Sequence, residues 1–157
     1  MATIVVETGT GSATANSYVS EADCTTYATD RGITITGTVA DLLIQAMDYI
    51  ESKNFIGDKL TEAQALQWPR YGVYIDRFYV DSDTIPQLLI DALCEVAISI
   101  DGGTNPLSTL GRETIREKVD VIEVEYSKSA SSSSYLTAAE TKLDKLVKNM
   151  SGMAIRG

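Results

Sequence analysis

Between Ile85 and Gly103 apolar side chains occupy almost every position. Leu88, Leu89, Ile90, Ala92, Leu93, Cys94, Val96, Ala97, Ile98 and Ile100 are interrupted only by Gln87, Asp91, Glu95 and Ser99. On a helix these four polar residues, spaced by four, form one thin ribbon, so the pattern predicts a helix over 86–101 that other elements must enclose. Pro86 suits the first turn, where a missing N–H is no loss, and Gly102-Gly103 suits the exit. The segment is too short, and too broken by Asp91 and Glu95, to cross a membrane. Pro86, Leu93 and Val96 are therefore read as structural, with this helix at the centre of a small bundle.

A second amphipathic pattern runs from Val39 to Lys53. Val39, Leu42, Leu43, Ala46, Met47 and Ile50 form its buried stripe, opposite Asp41, Gln45, Asp48 and Ser52. Ser20 with Asp23 reads as a capping box, with Val19 stapled against Cys24, for a helix from Glu21 that stops at Gly32. Thr61 and Gln64 predict a short helix through Ala65-Leu66 that ends before Pro69. Residues 70–84 read as an ordered connector bearing Tyr71, Tyr74, Phe78 and Tyr79. Thr137 and Glu140 predict a last helix with Leu143, Leu146, Val147 and Met150 on one face and Lys142, Lys145 and Lys148 off it.

Strand signals are few. Thr3–Glu7 is β-prone, and residues 118–126 alternate, with Ile122, Val124 and Tyr126 opposite Glu123 and Glu125. An isolated two-stranded ribbon is marginal, so 118–126 pairs with residues 3–7 or with another subunit. Ser127–Ser134 reads as a flexible linker that leaves the terminal helix tethered rather than held. The expected class is mainly α, a helical bundle with a body over 1–126, a Ser-rich linker over 127–136 and a docking tail over 137–157.

Composition then sets limits. The 157 residues suit one domain, and 44% apolar content rules out wholesale disorder. Cys24 and Cys94 have neither pairing nor metal spacing, which suggests free thiols. No basic region precedes an apolar run at the N-terminus, so a cytosolic origin is expected. The net charge of −9 is uneven. Residues 1–126 hold 8 Lys+Arg against 20 Asp+Glu, a net of −12, whereas residues 127–157 hold 5 against 2, a net of +3. The body should repel a nucleic-acid backbone, and the tail should attract one or an acidic protein.

With no histidine, the usual general base, the Ser–His and Cys–His nucleophile pairs and the commonest metal ligand are missing. Gly9-Thr10-Gly11 echoes a phosphate loop without the lysine that would follow. Asp76, Asp81 and Asp83 form the best acidic cluster, but their spacing fits no calcium loop and solvated acids explain them better. Trp68-Pro69-Arg70-Tyr71 could be a base-stacking platform or a packed corner. The acids around it favour the corner, because strand binding needs a basic groove.

Three segments carry a resemblance: Val6-Glu7-Thr8-Gly9-Thr10-Gly11 with Ala15-Asn16-Ser17-Tyr18-Val19-Ser20, then Leu66-Gln67-Trp68-Pro69-Arg70, then Ile85-Pro86 leading into an Ala-rich helix. Their order resembles a family of small tailed-bacteriophage proteins encoded among head genes and often labelled DnaT-like single-stranded-DNA-binding proteins. The chain is also similar to helical head-completion, or head–tail adaptor, proteins that form a ring beneath the portal. That resemblance implies a non-enzymatic virion protein at the head–tail interface, present in the host bacterial cytoplasm before assembly. It implies no cofactor, metal or membrane, a homo-oligomeric ring (a dodecamer) when assembled with a monomer as the free form, and as partners the portal and the tail or next connector. Double-stranded DNA would pass through the lumen without specific binding. Docking would fall to Ile122, Val124 and Tyr126 in the strand and to Lys142, Leu143, Lys145, Leu146, Val147 and Met150 in the tail. Trp68, Pro69 and Arg70 would form the corner. The alternatives are a single-strand DNA-binding accessory protein and a small carboxylate hydrolase, for which no convincingly paired acids occur.

Overall fold

The computed structural model describes residues 2–107 and 132–148. Among the described residues there are four helices: α1 (Glu21–Thr29), α2 (Val39–Glu51), α3 (Gln87–Asp101) and α4 (Ser132–Leu143). Four short strands lie between α2 and α3: β1 (Asp58–Lys59), β2 (Arg70–Tyr71), β3 (Val73–Ile75) and β4 (Phe78–Val80). β1 pairs with β2 and β3 with β4, giving two small antiparallel sheets. The fold is thus mixed α/β, and the expected mainly-α bundle is corrected. Strand pairing in the 58–80 segment overturns it, where the sequence pattern predicts a short helix and a connector.

Helix α3 is the element the others enclose. α1, α2 and α4 all pack on it, and Leu89, Ala92, Leu93, Cys94, Val96 and Ala97 are fully buried. The polar ribbon is only half wet, because Glu95 and Ser99 are buried as well. Glu95 survives burial through hydrogen bonds from the Tyr27 hydroxyl at 2.7 Å and from Lys142 Nζ at 3.5 Å. α1 and α4 therefore meet over one acid of α3. Cys24 and Cys94 are both free and buried.

Two local expectations fail for identifiable reasons. The Thr61–Gln64 box forms reciprocally, with Thr61 N–H donating to Gln64 Oε1 at 2.8 Å and Gln64 N–H donating to Thr61 Oγ1 at 3.2 Å. No helix follows it. The Gln64 amide donates to the carbonyls of Leu66 and Pro69, and Ala65 N–H donates to Ser12 O, so groups a helix would use are committed elsewhere. At the N-terminus the expected strand is reduced to one bridge, Val6 to Ser17.

Helix α4 starts at Ser132, inside the expected linker. Leu136, Ala139, Leu143 and Leu146 all pack in the common core, the last three fully buried. That packing outweighs the weak helix propensity of serine. The helix ends at Leu143, not near Met150. The chain then runs beside residues 54–56, where Ile56 N–H donates to Leu146 O and Lys148 N–H donates to Asn54 O. The strand expected over 118–126 lies outside the described residues, as does Met150.

A half-buried acid, Glu51, ties the end of α2 to the Trp68 corner. The Tyr18 hydroxyl donates to Glu51, Gln67 N–H donates to the same carboxylate at 2.8 Å, and Trp68 N–H donates to the Tyr18 oxygen at 3.1 Å. Burial raises the Glu51 pKa, and the Tyr18 and Gln67 bonds and the charges of Lys59 and Arg70 offset this only in part. The folded state thus holds this proton more tightly than the unfolded chain does. Its contribution to stability is full below the ordinary carboxylate value of about 4.3 and is lost as pH rises through the raised folded value. Urea midpoints of wild type should therefore fall across that window more than those of Glu51→Gln, which keeps an acceptor oxygen. Glu140, also raised by burial, adds a slope of the same sign. Equal slopes in the two proteins would show that Glu51 does not titrate there.

Candidate docking hairpin

Strands β3 and β4 form a hairpin in register Val73↔Val80, Tyr74↔Tyr79 and Ile75↔Phe78. The alternation sorts the side chains. Val73 is fully buried, with Ile75 and Val80 packed against the core beside it. Tyr74 and Tyr79 face outward, 61% and 51% exposed, their rings edge to face at 5.4 Å. Phe78 shares the inward face yet is 77% exposed, so the tip overhangs the body. Tyr71 on β2 is also exposed. Singly exposed aromatics are ordinary, but the touching Tyr74–Tyr79 pair, with exposed Phe78 on the opposite face and exposed Tyr71 just before the hairpin, concentrates apolar surface on one short segment, as interaction sites do.

The turn itself is unusual. Only Asp76 and Arg77 connect the strands, with φ of +50° and +72°. Two-residue hairpin turns favour Asn-Gly because both positions are left-handed; Asp tolerates that region and Arg does not. The Asp76 carboxylate meets Lys145 Nζ at 2.9 Å, a solvent-exposed pair of small energetic weight. Strain retained beside exposed rings is common at functional sites. Arg77→Gly should raise stability by about 0.5–1 kcal/mol, the left-handed cost less the added entropy of the unfolded chain. Denaturant midpoints measure this, and a lower midpoint would show that the Arg77 side chain is itself stabilising.

The loop at 8–12 braces the exit of the hairpin. Glu7, 2% exposed, accepts from the backbone N–H groups of Gly9, Thr10, Gly11 and Ser12 at 2.7–3.1 Å. The phosphate-loop echo is thus a nest of N–H groups filled by an internal carboxylate. A Cβ on Gly9 would lie 1.7 Å from Asp83 O, so the loop backbone touches the segment leading from β4 to α3.

Trp68 is fully buried, edge to face with Phe55 at 5.9 Å, and Pro69 follows it across a cis bond. Arg70 donates to the carbonyls of Ile56, Gln67 and Gly57 at 2.7–3.1 Å, so its charge points into the chain and its aromatic neighbour Trp68 offers no face to a base. Pro86, Leu93 and Val96 are core residues of α3 and its cap.

The expected docking tail is distributed differently. Leu143 and Leu146 are buried in the chain's own core and are closed to a partner. Val147 bridges Phe55, Lys142 meets Glu95, and Lys145 meets Asp76. Ile122, Val124, Tyr126 and Met150 lie outside the described residues. The apolar pattern alone places the hairpin rings in a connector. The signal that could have found them is Val-Tyr-Ile and Phe-Tyr-Val around a two-residue gap.

Charge completes the surface. Arg31 and Lys142 serve Glu95, Lys53 serves Glu140, Lys145 serves Asp76 and Arg70 serves carbonyls. Five of the eight described cations are thereby engaged within the chain. Asp58, Asp81 and Asp83 are exposed near the hairpin. Among the described residues no acids or thiols gather as a metal cage, and no helix is long and apolar enough to cross a membrane.

Residues 2–157 match a protein-family model described as "Putative DnaT-like ssDNA binding protein". The chain belongs to this DnaT-like family. No curated protein and no solved structure matches it. The exposed Tyr74 and Tyr79 rings are of the kind on which bases stack, while the acids around them oppose a phosphate backbone.

Proposed function

We propose that this DnaT-like protein is a structural adaptor of a tailed-phage head. It would form a ring below the portal that extends the DNA channel toward the tail, without catalysis. The observation that supports this is an exposed aromatic hairpin on a chain of net charge −9. Tyr, Phe and Arg concentrate at protein interfaces, and an acidic lumen repels phosphates and lets a duplex slide. The resemblance of three sequence segments to phage head proteins points the same way. Those segments converge in the fold, where the Glu7 loop touches Asp83 ahead of Pro86 and Tyr18 holds the Trp68 corner.

A second reading, single-strand DNA binding, is favoured by the family match and by the Tyr74–Tyr79 pair beside Arg77. Fluorescence anisotropy of a labelled thymidine oligonucleotide separates the two. The adaptor reading expects no saturable binding even at low salt. Micromolar affinity that falls steeply with salt and disappears in a Tyr74→Ala, Tyr79→Ala double variant would establish the strand-binding reading instead.

A further inference from the structure

A cleft of ≈300 Å³ lies between α2 and the end of α3, lined by Gln45, Asp48, Ile100, Thr104, Pro106 and Leu107. Its size suits the hairpin tip, and its lining is mixed, with Gln45, Asp48 and Thr104 beside the apolar residues. A dry cavity of about 150 Å³ already holds a benzene ring, so a phenyl side chain fits with room for its neighbours. Ile100, Pro106 and Leu107 give it apolar walls, and Leu107 is 53% exposed. One acid, the exposed Asp48, stands at the wall. The tip presents the complement, a projecting Phe78 preceded by the exposed Arg77.

We infer that copies of this chain join head to tail, with Phe78 of one copy seated in the cleft of the next and Arg77 facing Asp48. The hairpin feeds the start of α3 and the cleft sits at its end, separated by about 22 Å of helix. Knob and hole therefore occupy different patches. One such contact leaves a free knob on one copy and a free hole on the other, so, unless a pair makes the contact twice about a two-fold axis, its repetition closes a ring or extends a filament. The charges also select the register, because a flipped tip would bring Asp76 toward Asp48. This contact rests on the adaptor reading and names the subunit boundary that reading requires.

Sedimentation velocity of the full chain over a concentration series tests it. Wild type should associate as concentration rises. Phe78→Ser and Arg77→Asp should each weaken association tenfold or more while melting stays close to that of wild type, since both side chains are exposed. Arg77→Asp combined with Asp48→Arg should recover most of the loss. In a mixture of Phe78→Cys and Leu107→Cys proteins, a short bis-maleimide should cross-link one of each and neither variant alone. A chain that stays monomeric throughout, or association indifferent to these substitutions, overturns the contact. The second outcome leaves the adaptor reading standing. Conversely, association that follows this pattern in a protein that never joins phage heads would sink the adaptor reading and keep the contact.

Discussion

Leu143→Asp should abolish cooperative folding. Leu143 is fully buried beside Ala139 and Leu146 in the core that α4 shares with α3. An unpaired carboxylate there must be left dehydrated or must expel the helix. Either route costs several kcal/mol, comparable to the whole stability of a small domain. The same reasoning applies to removing residues 132–157, which would strip the cover from α3 and leave Glu95 without Lys142. A tethered, peripheral terminal helix leads to the opposite expectation, that a chain cut before the tail still folds. Circular dichroism melts of Leu143→Asp, with Tyr79→Ser as an exposed control, distinguish the two. A Leu143→Asp protein that melts cooperatively near the wild-type temperature would return α4 to the periphery.

Glu7→Ala should be nearly as damaging, although it removes no apolar contact. Four backbone N–H groups converge on this buried carboxylate; the bond from Gly9 is buried and those from Thr10, Gly11 and Ser12 are part-buried. A donor stranded away from water costs about 1–3 kcal/mol and the part-buried ones recover some of that from solvent, so the loss is about 2–4 kcal/mol. Glu7→Gln should fall between, because its amide group can accept at one end only and its NH₂ would oppose one of the donors. The loop also touches Asp83, so the damage should spread to the hairpin and accelerate amide exchange of Tyr74 and Tyr79. Wild-type urea midpoints in Glu7→Ala would mean that the loop re-satisfies its donors in some other arrangement.

Long periodic patterns were the legible part of the fold. α2 and α3 follow from their apolar stripes, and the Ser20 cap follows from its spacing to Asp23. The hairpin was obscure because its turn is Asp76-Arg77; neither residue announces a left-handed pair, and the strands are three residues each. Thr61–Gln64 looked like a helix start because a capping box records a local bond, not the helix that usually follows. The start of α4 was hidden by serines whose weak propensity is overridden by the burial of Leu136, Ala139 and Leu143. Glu95 looked like part of a wet ribbon, since nothing in the local pattern shows that Tyr27 and Lys142 come from distant segments to cover it. The candidate site suffered in the same way. Its rings were visible as composition, but their shared exposure depends on pairing across the turn and on a body too small to reach the tip.

The most direct measurement for the assembly role is electron microscopy of portal-bearing phage heads incubated with the full-length protein. The adaptor account predicts a ring of added density beneath the portal, absent when the protein is omitted. Heads whose portal stays bare at saturating protein, together with tight salt-sensitive binding of single-stranded oligonucleotides by the same preparation, would contradict it.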